Sequence, residues 1–202
     1  MDGKTVIYCK QPGEPPTPVT VRVEWQPDGK IVPLKYWTPD GICFKVNSIY
    51  EMTPLAFLKD RGEGVRFKIK SEIIDLPEMD ENFLHFQYET YLYFADNFFY
   101  RKGFVDGRYG HSGKEFISVT LDFFPDAGYE LICFHVRGER YIVERKLQTE
   151  PRGSYLAGGV GIRHCVEARP AGADGGENPR PYAAARVVAL YFEVNKWFVT
   201  LK

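Results

Sequence analysis

Apolar and polar residues alternate with a period of two along most of this chain, the pattern of strands that bury one face. VTVRVEW (19–25) runs through PDG into KIVPLKYW (30–37), and TPDG then turns into ICFKVNSIYEM (42–52). Asp-Gly between apolar runs predicts hairpins, because glycine supplies the positive φ of a tight turn. GVRFKIKSEI (64–73) and FLHFQYETYLYFA with NFFYRK continue the series. The same succession then recurs: FISVTLDFF (116–124), YELICFHV (129–136), RYIVERKLQTE (140–150), GIRHCVEARP (161–170), and ARVVALYFE with NKWFVTLK.

The recurrence has a register. An offset of 97 superposes FLKDRGEGVRFKI on SYLAGGVGIRHCV, matching Gly62, Gly64 and Arg66 to Gly159, Gly161 and Arg163. At that offset Pro54 meets Pro151, Val46 meets Val143, and Gly41 meets Gly138. An offset of 98 pairs QPDGKIVPL (26–34) with FPDAGYELI (124–132), and LYFADNFFY (92–100) with LYFEVNKWF (190–198). Four segments in one order predict an internal duplication. The expected fold class is therefore all-β: two tandem antiparallel β modules of about six short strands each, every module a curled sheet or partly open small barrel. Residues 1–18 form an N-terminal extension in which TVIYC adds a strand, 19–102 the first repeat, 103–115 a linker, and 116–202 the second repeat. Within the second repeat, 171–184 is Gly- and Pro-rich and reads as a mobile loop.

Composition supports a packed core and narrows the partners. Of 202 residues, 44% are hydrophobic and 15% aromatic, which excludes a disordered chain. The formal net charge is −1, with 11 basic against 13 acidic residues in 19–102 and 13 against 12 in 103–202. Neither half has the basic excess of a protein that neutralises many phosphates. No run is long and apolar enough for a membrane-spanning helix, and no secretory leader is visible. Cysteines 9, 43, 133 and 165 lie far apart without a close pair, so neither a zinc site nor a disulfide framework is expected. The expected location is the cytoplasm, with no cofactor.

The chemical motifs are weak. AGGVGIR lacks the Lys-Ser/Thr and the following helix of a phosphate loop, so Gly62, Gly64, Gly159 and Gly161 read as structural turns. His164 and Cys165 are adjacent in a strand and point to opposite faces, so they cannot form a nucleophile–base pair. His85, His111 and His135 are scattered, with no metal-ligand spacing. Ser112 in YGHSGKE lacks the setting of a nucleophile elbow. No catalytic or metal-binding residue is expected, and the balance leans away from an enzyme.

What both copies keep is an arginine just after the Gly turn. Arg66 and Arg163 could grip an anion or a partner's carboxylate; the plainer reading is an ion pair with a strand carboxylate in the same copy. Trp37 and Trp197 join them as candidate binding residues, since exposed aromatics beside cations can stack on nucleic-acid bases or anchor a protein.

PDAGYELI, PRGSYLAGGVGIR and LYFEVNKWFV together resemble a family of small, uncharacterised bacterial all-β proteins. Those are single-copy chains with a Pro…Gly-x-Gly-Ile-Arg turn and a closing LYFE…WFV hairpin. The resemblance implies a tandem fusion of that unit and brings no activity with it. Copy one departs from the pattern, with Asp60-Arg61 where copy two has Ala157-Gly158. The function expected is a non-enzymatic binding module, using a sheet face or the paired Gly-x-Gly-x-Arg turns to hold an unknown protein or single-stranded nucleic acid. The alternatives are an enzyme with a site between the repeats and a purely structural assembly role.

Overall fold

Nearly every segment read as alternating in the sequence is a strand in the computed structural model, which describes residues 6–56, 63–75, 87–95, 114–125, 128–153, 160–172, 183–193 and 196–200. The first repeat with its extension contributes β1 (Val6–Lys10), β2 (Thr17–Pro18), β3 (Thr20–Trp25), β4 (Ile31–Trp37), β5 (Cys43–Ala56), β6 (Glu63–Asp75) and β7 (Gln87–Ala95). The second contributes β8 (Lys114–Phe116), β9 (Val119–Phe124), β10 (Gly128–Val136), β11 (Glu139–Gly153), β12 (Val160–Pro170), β13 (Arg186–Glu193) and β14 (Lys196–Thr200). Among the described residues no helix is long and apolar enough to cross a membrane. NFFYRK and most of the loop 171–184 and of the linker 103–115 lie outside the described residues, while the linker's last two residues open β8.

The strands form one antiparallel sheet, not closed into a barrel, in the order β2-β1-β7-β6-β5-β4-β3-β9-β10-β11-β12-β13-β14-β8. Read outward from β3 and from β9, a five-strand meander appears on each side, after which β7 pairs with β1 of the N-terminal extension whereas β13 pairs with the next strand, β14. The sheet ends on strands of two and three residues, which limits the unpaired backbone offered to another chain. The turns follow the sequence. Gly29 and Gly41 have φ of 89° and 88°, and Gly138 has φ of 77° after Arg137 at 51°, the paired positive values of a type I′ hairpin. FISVTLDFF differs from its reading as one strand. Ile117 donates its N–H to the Trp197 carbonyl while the Ser118 carbonyl accepts from His135, so the chain changes partner strands between β8 and β9.

The two halves also correspond in pairing register. Val46, Ser48, Ile49 and Glu51 of β5 face Ser71, Lys70, Ile69 and Lys68 of β6, leaving Asn47 and Tyr50 as bulges. Ninety-seven residues later, Val143, Arg145, Lys146 and Gln148 face Ala168, Glu167, Val166 and Cys165, with Glu144 and Leu147 bulged. Both bulges therefore recur at equivalent places. Alternate residues of β6 (Val65, Phe67, Ile69, Ser71, Ile73) and of β12 (His164, Val166, Ala168) are buried, which sets one core-facing side on each.

The chain divides into two compact units, and each draws on both repeats. Unit 1 comprises Met1–Val23, Pro33–Arg101 and Asp122–Glu130. Unit 2 comprises Glu24–Val32, Lys102–Leu121 and Leu131–Lys202. The tip of the β3–β4 hairpin thus belongs to unit 2, and the tip of the β9–β10 hairpin to unit 1.

Candidate functional site

The two repeated arginines lie on the more exposed side of their strands. Arg66 stands opposite Thr53 across β5–β6, and Arg163 opposite Glu150 across β11–β12. Arg66 Nη2 donates to Glu51 Oε1 at 3.1 Å and to Thr53 Oγ1 at 3.4 Å, with its guanidinium 5.1 Å from the Tyr91 ring centroid. The Thr53 hydroxyl also donates to Glu51. That hydroxyl first, and the Arg66 donor second, hold the Glu51 carboxyl below its ordinary range. Arg163 Nη1 donates to Glu150 Oε1 at 2.7 Å. Each arginine is therefore bound to a strand carboxylate of its own repeat, and the Nε of each is buried without a hydrogen bond. Further cross-strand pairs surround them: Arg145 with Glu167, Arg169 with Glu144, Lys45 with Glu72, and Lys68 with Glu89. Each unit thus carries its own ladder of opposite charges.

The tryptophans have different surroundings. Trp37 is half-buried on β4 beneath the Arg22 guanidinium, 5.3 Å from the ring centroid. Trp197 is 1% exposed, 4.9 Å from Phe192 and 5.6 Å from His164 between ring centroids, so its ring belongs to the core of unit 2 rather than to a surface.

Gly64 and Gly161 are strand residues rather than turn residues, and Gly62 and Gly159 lie outside the described residues. Gly161 is required by proximity. A Cβ there would sit 2.5 Å from Glu193 Cγ and 3.1 Å from the Phe192 carbonyl oxygen, and Glu193 is itself buried. Its φ lies outside the left-handed region, so close approach and not turn geometry excludes a side chain.

Of the adjacent pair His164 and Cys165, it is His164 that packs inward. Its Nδ1 lies 2.8 Å from the Thr149 hydroxyl oxygen, and burial first, then the Lys146 charge, push its pKa down to about 4. Thr149 and His164 occupy the places of Met52 and Phe67 in the first repeat, so a hydrogen-bonded polar pair replaces an apolar one.

Two further arrangements were not evident in the sequence. Ser118 Oγ lies 3.1 Å from His135 Nδ1, a half-exposed pair whose imidazole pKa is lowered by burial and by Arg140, against Glu24. Larger in extent is an apolar strip on β5. Ile49, Tyr50 and Met52 are 37%, 53% and 46% exposed. Ile49 and Met52 face Ile69 and Phe67, on the core-facing side, yet stay open to solvent at the strand margin. Tyr50 is re-aimed by its bulge. β4 is half as long as β5 and pairs with it through Lys35–Trp37, opposite Cys43–Lys45 and before this strip. In the second repeat the equivalent positions are Lys146, Leu147 and Thr149, with one large apolar side chain instead of three.

Among the described residues, no group of three or more His, Cys, Asp or Glu could hold a metal ion. Compared with known proteins, the chain matches no family model, and no curated protein or solved structure is significantly similar to it.

Proposed function

We propose that this protein is a non-enzymatic interaction module that holds a protein partner on the middle of β5. The observation that carries the reading is the exposure of Ile49, Tyr50 and Met52 within four consecutive residues. Tyr and Met are enriched at protein interfaces, and a contiguous apolar strip on a soluble surface is the usual mark of one. The ion-paired state of Arg66 and Arg163 favours a protein over single-stranded nucleic acid, which would need cations free to neutralise phosphates. A cytoplasmic location belongs to the same proposal, supported by four free cysteines. So does kinship with the small single-copy bacterial family, supported by the repeated register of β5–β6 and β11–β12.

The test substitutes the second repeat's own residues, Ile49→Lys with Met52→Thr, which the same backbone accommodates in β11. Cross-linking and affinity capture from the host should recover a protein with the wild type and lose it with the double variant, with little dependence on salt. Capture that is unchanged in the variant would overturn the reading. Recovery of nucleic acid with steep salt dependence would replace it with the alternative.

A further inference from the structure

The core of unit 2 contains a residue from the first repeat. Trp25 is 0% exposed, its ring edge-on to Phe192 at 5.1 Å between centroids and 79° between planes. The loan is returned. Unit 1 includes Asp122–Glu130 from the second repeat, with Phe123 buried and Asp122 bonded twice by Arg22 of the first repeat. Trp25 and Phe123 are equivalent positions, 98 residues apart, and each is buried in the unit built mainly from the other repeat. β3 and β9, which carry them, are neighbours in the sheet order.

We propose that the first hairpin of each repeat is an association element whose partner is another copy of a repeat. One repeat lacks the aromatic side chain that fills its core and receives it from the hairpin of a second. The tandem chain provides both partners covalently, which raises their effective concentration and removes the need for a separate subunit. This exchange is the intramolecular counterpart of domain swapping, in which identical elements are traded between protomers.

The test keeps the full chain and places a protease sequence between Val105 and Asp106. After cleavage, native mass spectrometry and size exclusion should find the two pieces together as a one-to-one particle at micromolar concentration, parting only where the strand signal is lost in denaturant. Each piece, separated in urea and refolded alone, should stay unfolded or form a homodimer, and mixing should restore the one-to-one particle. In the cleaved protein Trp25→Ala should weaken the pairing at least tenfold, while Trp25→Phe, the residue used at 123, should largely retain it. Pieces that separate under native conditions, a single piece that refolds as a strand-rich monomer, or an unchanged affinity in Trp25→Ala would each overturn the proposal.

Discussion

Arg22 on β3 grips Asp122 on β9 with two donors, Nε to Oδ1 at 2.7 Å and Nη2 to Oδ2 at 2.8 Å. The two residues lie 100 positions apart, one in each repeat, and both side chains are largely withdrawn from solvent. The fork geometry fits a carboxylate bidentately, and the Trp37 ring lies beside the guanidinium. This pair differs from the exposed Arg–Glu ladder in what its loss would leave behind.

Asp122→Ala would take the bidentate acceptor away from a shielded guanidinium. Breaking such a pair costs on the order of 3 kcal/mol. The urea midpoint should fall accordingly, while Arg66→Ala, which opens an exposed pair, should barely move it. Equal shifts for the two variants would show that shielding does not separate these pairs.

His164 makes stability depend on acid in a defined window. Its pKa is about 4 in the fold, against about 6.5 for an unconstrained imidazole, so the unfolded chain binds the proton more readily. The neutral form's contribution is intact above about pH 6.5 and is lost as pH falls toward 4, by roughly 3 kcal/mol across the window. His164→Phe installs the residue that the first repeat carries as Phe67. The difference in Tm between wild type and variant should therefore change across pH 4–6.5 and level off above it.

Two glycines should fail on substitution for separate reasons. Gly161→Ala drives a Cβ into Glu193 and the Phe192 carbonyl, a clash of the kind that costs about 1–3 kcal/mol. Gly138→Ala meets no atom within 4 Å, but its φ of 77° is strained for any L side chain, by roughly 1 kcal/mol. A helix-free denaturation curve for each variant gives both values directly.

Pro54 and Pro151 occupy the same repeat position, opposite Val65 and Ile162, on strands that outrun one neighbour. Proline offers no N–H there and discourages the addition of a further strand. Pro54→Val with Pro151→Val should produce concentration-dependent self-association, measured by light scattering between low and high micromolar protein. A variant that stays at the mass of the wild type would mean that the bulges suffice to guard these edges.

Much of the fold was legible because alternation and glycine turns are local signals. VTVRVEW became β3, GIRHCVEARP lies within β12, and Gly29, Gly41 and Gly138 adopt the positive φ their turns need. The plainer reading of Arg66 and Arg163, a carboxylate in the same copy, matches their contacts with Glu51 and Glu150. The bulges were hidden, since Asn47, Tyr50, Glu144 and Leu147 share no residue type that marks an extra position. Ile49 and Met52 look like core in any alternating pattern, and nothing local in the sequence marks them as exposed. The hairpin exchange left no trace in the pattern at all. Equivalent hairpins alternate identically whichever repeat's core receives them.

The placement of Trp25 among second-repeat residues bears on how this chain can change over generations. A mutation that enlarges Phe192 would press on Trp25, in the opposite half of the coding sequence, as well as on Trp197 in its own repeat. Recombination that replaced one repeat wholesale with a diverged version would mismatch both cores in a single event. The two halves would thus have to be inherited as a matched set.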